Sequence, residues 1–161
     1  MLALGCASWH HKKDPVAVLR VHIESEGHIT GKNKAVPILR AQPLMLNIAT
    51  DPILSEADVT SARVLDTDGG FAIEIRFLVA GSWRLEQYSS GNPGKHLAIF
   101  AQWSDKQEDG RWLAAPILVR RMAGGTLVFT PDATREEAQK IVDGLNFIAK
   151  KNAKNELKIK E

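Results

Sequence analysis

The segment "TSARVLDTDGGFAIEIRFL", residues 60–78, constrains the fold more than any other stretch of this 161-residue chain. Ala62 and Val64 alternate with polar neighbours and Asp68-Gly69-Gly70 supplies a turn. Phe71, Ile73, Ile75 and Phe77 then recur with the period of two that puts side chains on one face of a strand. Two such strands form a hairpin, and a face that apolar must be buried. A hairpin alone is marginal in water, so the rest of the chain has to supply further strands or helices to cover it.

The candidates are present on both sides. Residues 16–24, "VAVLRVHIE", alternate loosely enough for a strand in which His22 is an ordinary strand side chain, and "EGHITGKNK" supplies turn residues. "AVPILRAQPLMLNIA" carries Pro37 and Pro43, each lacking a backbone donor, which predicts edge or broken strands. "DPILSEADV" reads as a loop with a short helical turn near Ser55. After the hairpin, "AGSWRLEQYSS" predicts a short helix capped by Ser82, with Leu85 and Tyr88 on one side. "HLAIFAQW", "RWLAAPILV" and "GGTLVF" predict three more strands. The best helix spans 134–150: Thr134 and Glu137 form a capping box, and Ala138, Ile141, Val142, Leu145 and Ile148 recur at helical spacing. The basic end, "KKNAKNELKIKE", reads as a helix extension or a disordered tail. Runs of strands with helices between and after them predict an α+β two-layer sandwich, a mostly antiparallel sheet with helices packed on one face. The organisation expected is a signal remnant and tether over 1–15, one domain over 16–150, and a basic tail over 151–161.

Charge says little about partners. Twenty-one Lys and Arg against 19 Asp and Glu leave a formal net charge of +2, too small a field to steer nucleic acid. No run approaches the roughly 18 apolar residues of a membrane helix. The single cysteine excludes an intramolecular disulfide and a cysteine-based zinc site. It stands in "MLALGCAS", a small apolar run ending Gly-Cys that looks like the end of a bacterial lipoprotein signal. Cys6 is therefore the lipidation candidate, although five preceding residues are fewer than such a signal needs. The alternative is a free thiol on a frayed terminus. A start codon upstream of Met1 would supply the missing residues.

The string that most resembles chemistry is Gly91-Asn92-Pro93-Gly94-Lys95. A phosphate loop needs Gly-x-x-x-x-Gly-Lys-Ser/Thr between a strand and a helix, because amides at the helix N-terminus do the binding. Here the glycines are two residues closer, His96 replaces the hydroxyl residue, and the loop leaves a helix to enter a strand. It is read as a turn, and no cofactor is expected. Adjacent His10 and His11 lack a third ligand, so no metal is expected. Ser55, Asp58, Glu74, Glu86 and His96 can be assembled on paper into a hydrolase-like site, but no spacing singles them out, and no catalytic residue is assigned. Trp83, Trp103 and Trp112 beside Arg84 and Arg111 are read as core or rim packing rather than a nucleic-acid platform.

The ordered motifs from residue 56 to 148 resemble a family. Ile75 and Phe77 end the hairpin, then come Gly81, the sequence Asn92-x-Gly94-Lys95-x-Leu97-Ala98-Ile99, Ala115-Pro116-Ile117, the Gly124-Gly125 turn, and Glu136-Glu137-Ala138 before Leu145. This is similar to the head subdomain of the first periplasmic domain of SecD, the protein-export subunit. Ala114 stands where that family has serine, and "SDKQEDGR" lengthens a short turn. The resemblance implies the fold, a place in the bacterial cell envelope (the periplasm, or a membrane reached through a lipid on Cys6), and contact with polypeptide or envelope protein partners, without an active site. With no membrane helices the chain lacks the family's proton pathway. The alternatives are a small hydrolase-like enzyme with a site assembled from scattered residues and a purely structural envelope module. Exposed edges near Pro37 and Pro43 could accept an extended polypeptide by strand addition, although prolines more often blunt an edge than open it.

Overall fold

The computed structural model describes residues 14–15, 17–26, 31–104, 106 and 109–159. Along these the chain forms β1 (Val18–Ile23), β2 (Asn33–Ile38), β3 (Leu44–Ala49), β4 (Leu54–Ser55), a 3-10 turn (Glu56–Asp58), β5 (Val59–Thr67), β6 (Gly70–Phe77), α1 (Val79–Gly91), β7 (Leu97–Gln102), β8 (Gly110–Ala114), β9 (Thr126–Phe129) and α2 (Arg135–Ile159). This is an α+β fold in which every strand pair is antiparallel. The strands divide into three sheets, ordered β4-β1-β7-β8, β2-β3 and β5-β6-β9.

The β5–β6 hairpin turns through Asp68 and Gly69, with Thr67 opposite Gly70. Its apolar face reaches the core, where Ile73 and Ile75 are fully buried opposite Phe129 and Leu127 of β9. The same core takes Leu19 and Val21 of β1, Leu97 and Ile99 of β7, Leu113 of β8, and the stripe Ala138, Ile141, Val142 and Leu145 of α2. Burying these aliphatic side chains, at about 1.5–3 kcal/mol for each Leu, Ile or Val, is what holds the two larger sheets and α2 together. The predicted capping box of α2 is formed: Thr134 N–H donates to Glu137 Oε2 at 2.8 Å and Glu137 N–H to Thr134 Oγ1 at 3.2 Å. The helix continues past 150 to Ile159, the helical form of the two expected for the basic end.

Three local readings change, and the helical turn expected near Ser55 forms as a 3-10 turn. Ser82 does not cap α1; it lies one turn inside, its N–H bonded to Leu78 O at 2.8 Å, and its hydroxyl donates to Phe77 O. The segment at 111–119 stops being a strand at Ala114, because Pro116 cannot continue a ladder; its carbonyl instead accepts the Leu97 N–H at 2.9 Å. The turn near Ser55 is a 3-10 turn preceded by a two-residue strand, held by Ser55 N–H to Asp58 Oδ2 at 2.9 Å. Pro37 lies within β2 and Pro43 just before β3; the two strands form a separate hairpin, bridged at its outer edge by Glu24 to Ile48, and this hairpin adds a layer to the two expected. Val36, Ile38, Leu46 and Ile48 pack on the second face of the four-stranded sheet, against Ala98 and half-buried Trp112. His22 is on that face: 4% exposed, it donates from Nδ1 to Ala49 O at 2.8 Å and meets Trp112 edge-on at 5.4 Å.

Candidate functional site

The Gly91–Lys95 string has the conformation of a turn whose polar groups are already used. Gly94 adopts φ +83 and donates its N–H to Leu118 O at 2.8 Å, while the Leu118 N–H donates back to Lys95 O at 2.8 Å. Lys95 Nζ lies 3.4 Å from Glu26 Oε1. These bonds attach residues 116–118 to the start of β7, where His96 and Ile117 form an isolated bridge.

Of the residues of the scattered-site reading, Ser55 and Asp58 meet in one turn, while Glu74, Glu86 and His96 each have their own partners. Asp58 caps the turn at Ser55 and pairs with Arg84. Glu86 on α1 pairs with Arg121. Glu74 on β6, 9% exposed, takes Arg63 at 2.9 Å and Arg76 at 3.3 Å, and the Arg63 hydrogen bonds hold its carboxyl below the usual range despite burial. His96 Nδ1 lies 2.7 Å from Glu24 Oε2, which also accepts the His96 N–H at 2.9 Å. Burial raises the Glu24 carboxyl, but those bonds outweigh it and leave the group below its ordinary value. Among the described residues no group of three or more His, Cys, Asp or Glu has metal-binding geometry. Cys6, His10 and His11 lie outside the described residues. Trp103 is buried with the Arg111 guanidinium 4.8 Å from its ring centre, and Trp112 is half-buried, as packing predicts; Trp83 is exposed.

What the fold does assemble is an apolar groove around β9. On one side a hollow of about 530 Å³ is lined by Leu39, Ala72, Ala114, Pro116, Val128 and Thr130. On the other a smaller one, about 140 Å³, is lined by Leu97, Pro116, Ile117, Leu118, Met122 and Leu127 among others. Among the described residues, Arg120 is the one charged side chain bordering either, and no carboxylate lines them. Leu39, 39% exposed, has φ +71, the left-handed region that costs a side-chain-bearing residue about 1–2 kcal/mol. Ile117 and Val128 are 53% and 47% exposed. No local sequence pattern announces this surface. Its residues come from five separated segments, and "GGTLVF" reads as a strand without revealing which side stays unpaired.

No protein-family model matches the chain. Over 111 residues, 68% of this chain and 19% of the relative, it is 29% identical to the protein translocase subunit SecD of Rhodobacter capsulatus. Over 91 residues, 56% of this chain and 11% of the relative, it is 33% identical to the protein translocase subunit SecDF of Thermus thermophilus. It thus spans about a fifth and about a tenth of these relatives' lengths. Among solved structures it is similar to SecDF, a membrane component that enhances protein export, with TM-score 0.58 and 23% identity over 82% of this chain and 63% of that one. It is similar also to SecDF in a super-membrane-facing form, with TM-score 0.58 and 23% identity over 81% of this chain and 19% of that one. At that identity the structures speak for the fold, and the sequence relatives for the kinship. Both agree with the motifs from Ile75 to Leu145: over this region the chain is similar to SecD.

Proposed function

We propose that this SecD-like domain is a non-enzymatic part of the bacterial cell envelope that contacts polypeptide during protein export. The observation that carries this reading is the groove around β9, which offers apolar surface on both sides of a strand and no carboxylate, histidine or thiol along its lining. Such a surface suits the side chains of an unfolded segment, whereas chemistry on a substrate requires a titratable or nucleophilic group within reach. The kinship with translocase subunits supports the same assignment. No described helix is long and apolar enough to cross a membrane, and in this reading a lipid on Cys6 supplies the attachment. Radiolabelled palmitate incorporated in the native host by the wild-type chain and not by Cys6→Ser supports that anchor; equal incorporation removes it.

The test of the function is binding of a permanently unfolded protein, reduced and carboxymethylated lactalbumin, followed by fluorescence anisotropy. Saturable binding that weakens at least tenfold in the double variant Ile117→Asp, Val128→Asp, and is unchanged in Trp83→Ala, is expected. Absence of saturable binding, or equal binding by the groove variant, refutes the reading.

A further inference from the structure

The sheets of this protein have their edges closed in different ways, with one exception. The outer edge of β5 is closed by α2: Asn146 accepts the Ala62 N–H at its Oδ1 and donates from Nδ2 to the Ala62 carbonyl, both at 2.9 Å, as a neighbouring strand would. β8 is met by the Asp132 N–H, which donates to Leu113 O at 2.7 Å, with Arg111 Nε bonded to Asp132 O. β3 is extended by the Glu24–Ile48 bridge and by Ser25 N–H to Asn47 O at 2.8 Å. β4 has two residues, and β2 carries Pro37, which lacks a donor. Proteins blunt edges in these ways because a free edge invites another chain. β9 pairs with β6 on one side and with no strand among the described residues on the other.

The phase of the ladder says which groups of β9 are free. Phe77 N–H donates to Gly125 O at 2.9 Å, so Gly125, Leu127 and Phe129 are the residues that exchange bonds with β6. The amides and carbonyls of Thr126 and Val128 therefore point to the open side. A strand laid there would send alternate side chains to opposite faces; Leu127 lines one apolar hollow, Ala72 and Thr130 line the other, and Val128 and Pro116 border both. Arg120, without a carboxylate at either hollow, sets the charge preference.

We propose that β9 is a strand-addition site: an extended polypeptide pairs with Thr126 and Val128, places apolar side chains alternately in the two hollows, and prefers an acidic over a basic residue next to Arg120. The inference rests on the polypeptide-contact reading and specifies how that contact is made. The expected edge near Pro37 and Pro43 is thereby replaced by a different one.

The probe is a blocked, fluorescently labelled heptapeptide of valine, leucine and threonine with one glutamate. It is synthesised also with N-methyl groups on its even or on its odd amides, and also with lysine for glutamate. N-methylation on one set should weaken binding at least tenfold and on the other less than threefold, because only one set faces β9; lysine should weaken it. Val128→Pro deletes an amide that β6 does not use, so the variant should keep the wild-type melting curve and lose at least tenfold in affinity, while Val128→Thr should stay within threefold. Equal effects of the two methylation sets overturn strand addition, as does unchanged affinity of a folded Val128→Pro. So does a concentration-dependent dimer in sedimentation that the peptide fails to dissociate, since a second copy then occupies the edge. If carboxymethylated lactalbumin binds at the groove while these peptide results are negative, polypeptide contact stands and the strand mode fails. If neither binds, both fail.

Discussion

The Asn146 clasp makes a prediction that combines stability with edge protection. Asn146 is half-buried on α2 and its carboxamide makes two hydrogen bonds of 2.9 Å to the backbone of Ala62, a residue 8% exposed on β5. Asn146→Ala removes both, and each such bond contributes about 1 kcal/mol net, with a further loss where water does not reach the freed group. Alanine gains about 0.6 kcal/mol in helix propensity over asparagine, which offsets part of that. The expected loss is therefore about 1–2 kcal/mol, or about 2–8 °C in Tm for a domain of this size. Urea unfolding followed by circular dichroism measures it. Asn146→Asp keeps the acceptor for the Ala62 N–H and loses the donor, so it should fall between wild type and alanine near neutral pH. The second consequence is kinetic: amide exchange at Ala62 should accelerate in Asn146→Ala by more than global destabilisation accounts for. A loss below about 0.5 kcal/mol, with Ala62 exchange unchanged relative to its neighbours, would refute the claim that the carboxamide acts as the missing strand.

Other perturbations have equally definite outcomes. Gly125 has φ +65, and a Cβ there would sit 1.8 Å from Ser82 Oγ; Gly125→Ala should cost about 2–5 kcal/mol from left-handed strain plus overlap, and adding Ser82→Gly should recover the overlap while leaving about 1–2 kcal/mol of strain, read by thermal unfolding. Ile38→Ala, at a fully buried position between the β2–β3 hairpin and the four-stranded sheet, should cost about 2–5 kcal/mol in urea unfolding, and a smaller loss would mean the hairpin is not part of the cooperative core. Burial holds His22 below its ordinary pKa of 6.5, with Lys34 and Arg20 acting in the same direction and the Ala49 carbonyl and Asp51 opposing. The unfolded chain thus binds a proton there before the folded one does, so stability falls as pH drops below about 6.5 and down to the lower folded value. His22→Gln should flatten that part of the urea-midpoint profile, and an unchanged slope would reject the assignment.

How much of this was legible in advance depended on whether the signal was local. The hairpin at 60–78 and the helix from Thr134 carry their periodicity and caps within a single window, and both formed as read. Ser82 looked like a cap because serine favours that position, but the N-cap is Leu78, four residues earlier, and Gly81 lies in the first turn, where a Cβ would meet Phe77, Asp58 and Leu54 at 3.1–3.3 Å. The prolines at 37 and 43 predicted poor strands and gave a two-stranded hairpin, yet nothing in them says which face of which sheet it covers. That was settled by Ala98 and Trp112, more than 50 residues away.

Edge status is the least local property of all, and the candidate site depends on it. "GGTLVF" has the same local pattern whether both of its sides are paired or one is free, and the free side follows from where β8 turns away at Pro116. Brevity is what makes such an edge tolerable. Only Thr126 and Val128 present their backbone outward, and the strand is preceded by Gly124 and Gly125 at φ +91 and +65 and followed by Pro131 after Thr130. A chain pairing here finds at most four main-chain bonds before the ladder ends, too few to propagate a sheet and few enough that contact with the two apolar hollows has to supply much of the affinity. The same geometry implies a contact made and released quickly, which fits a domain that touches many segments of a passing polypeptide better than one that holds a single ligand.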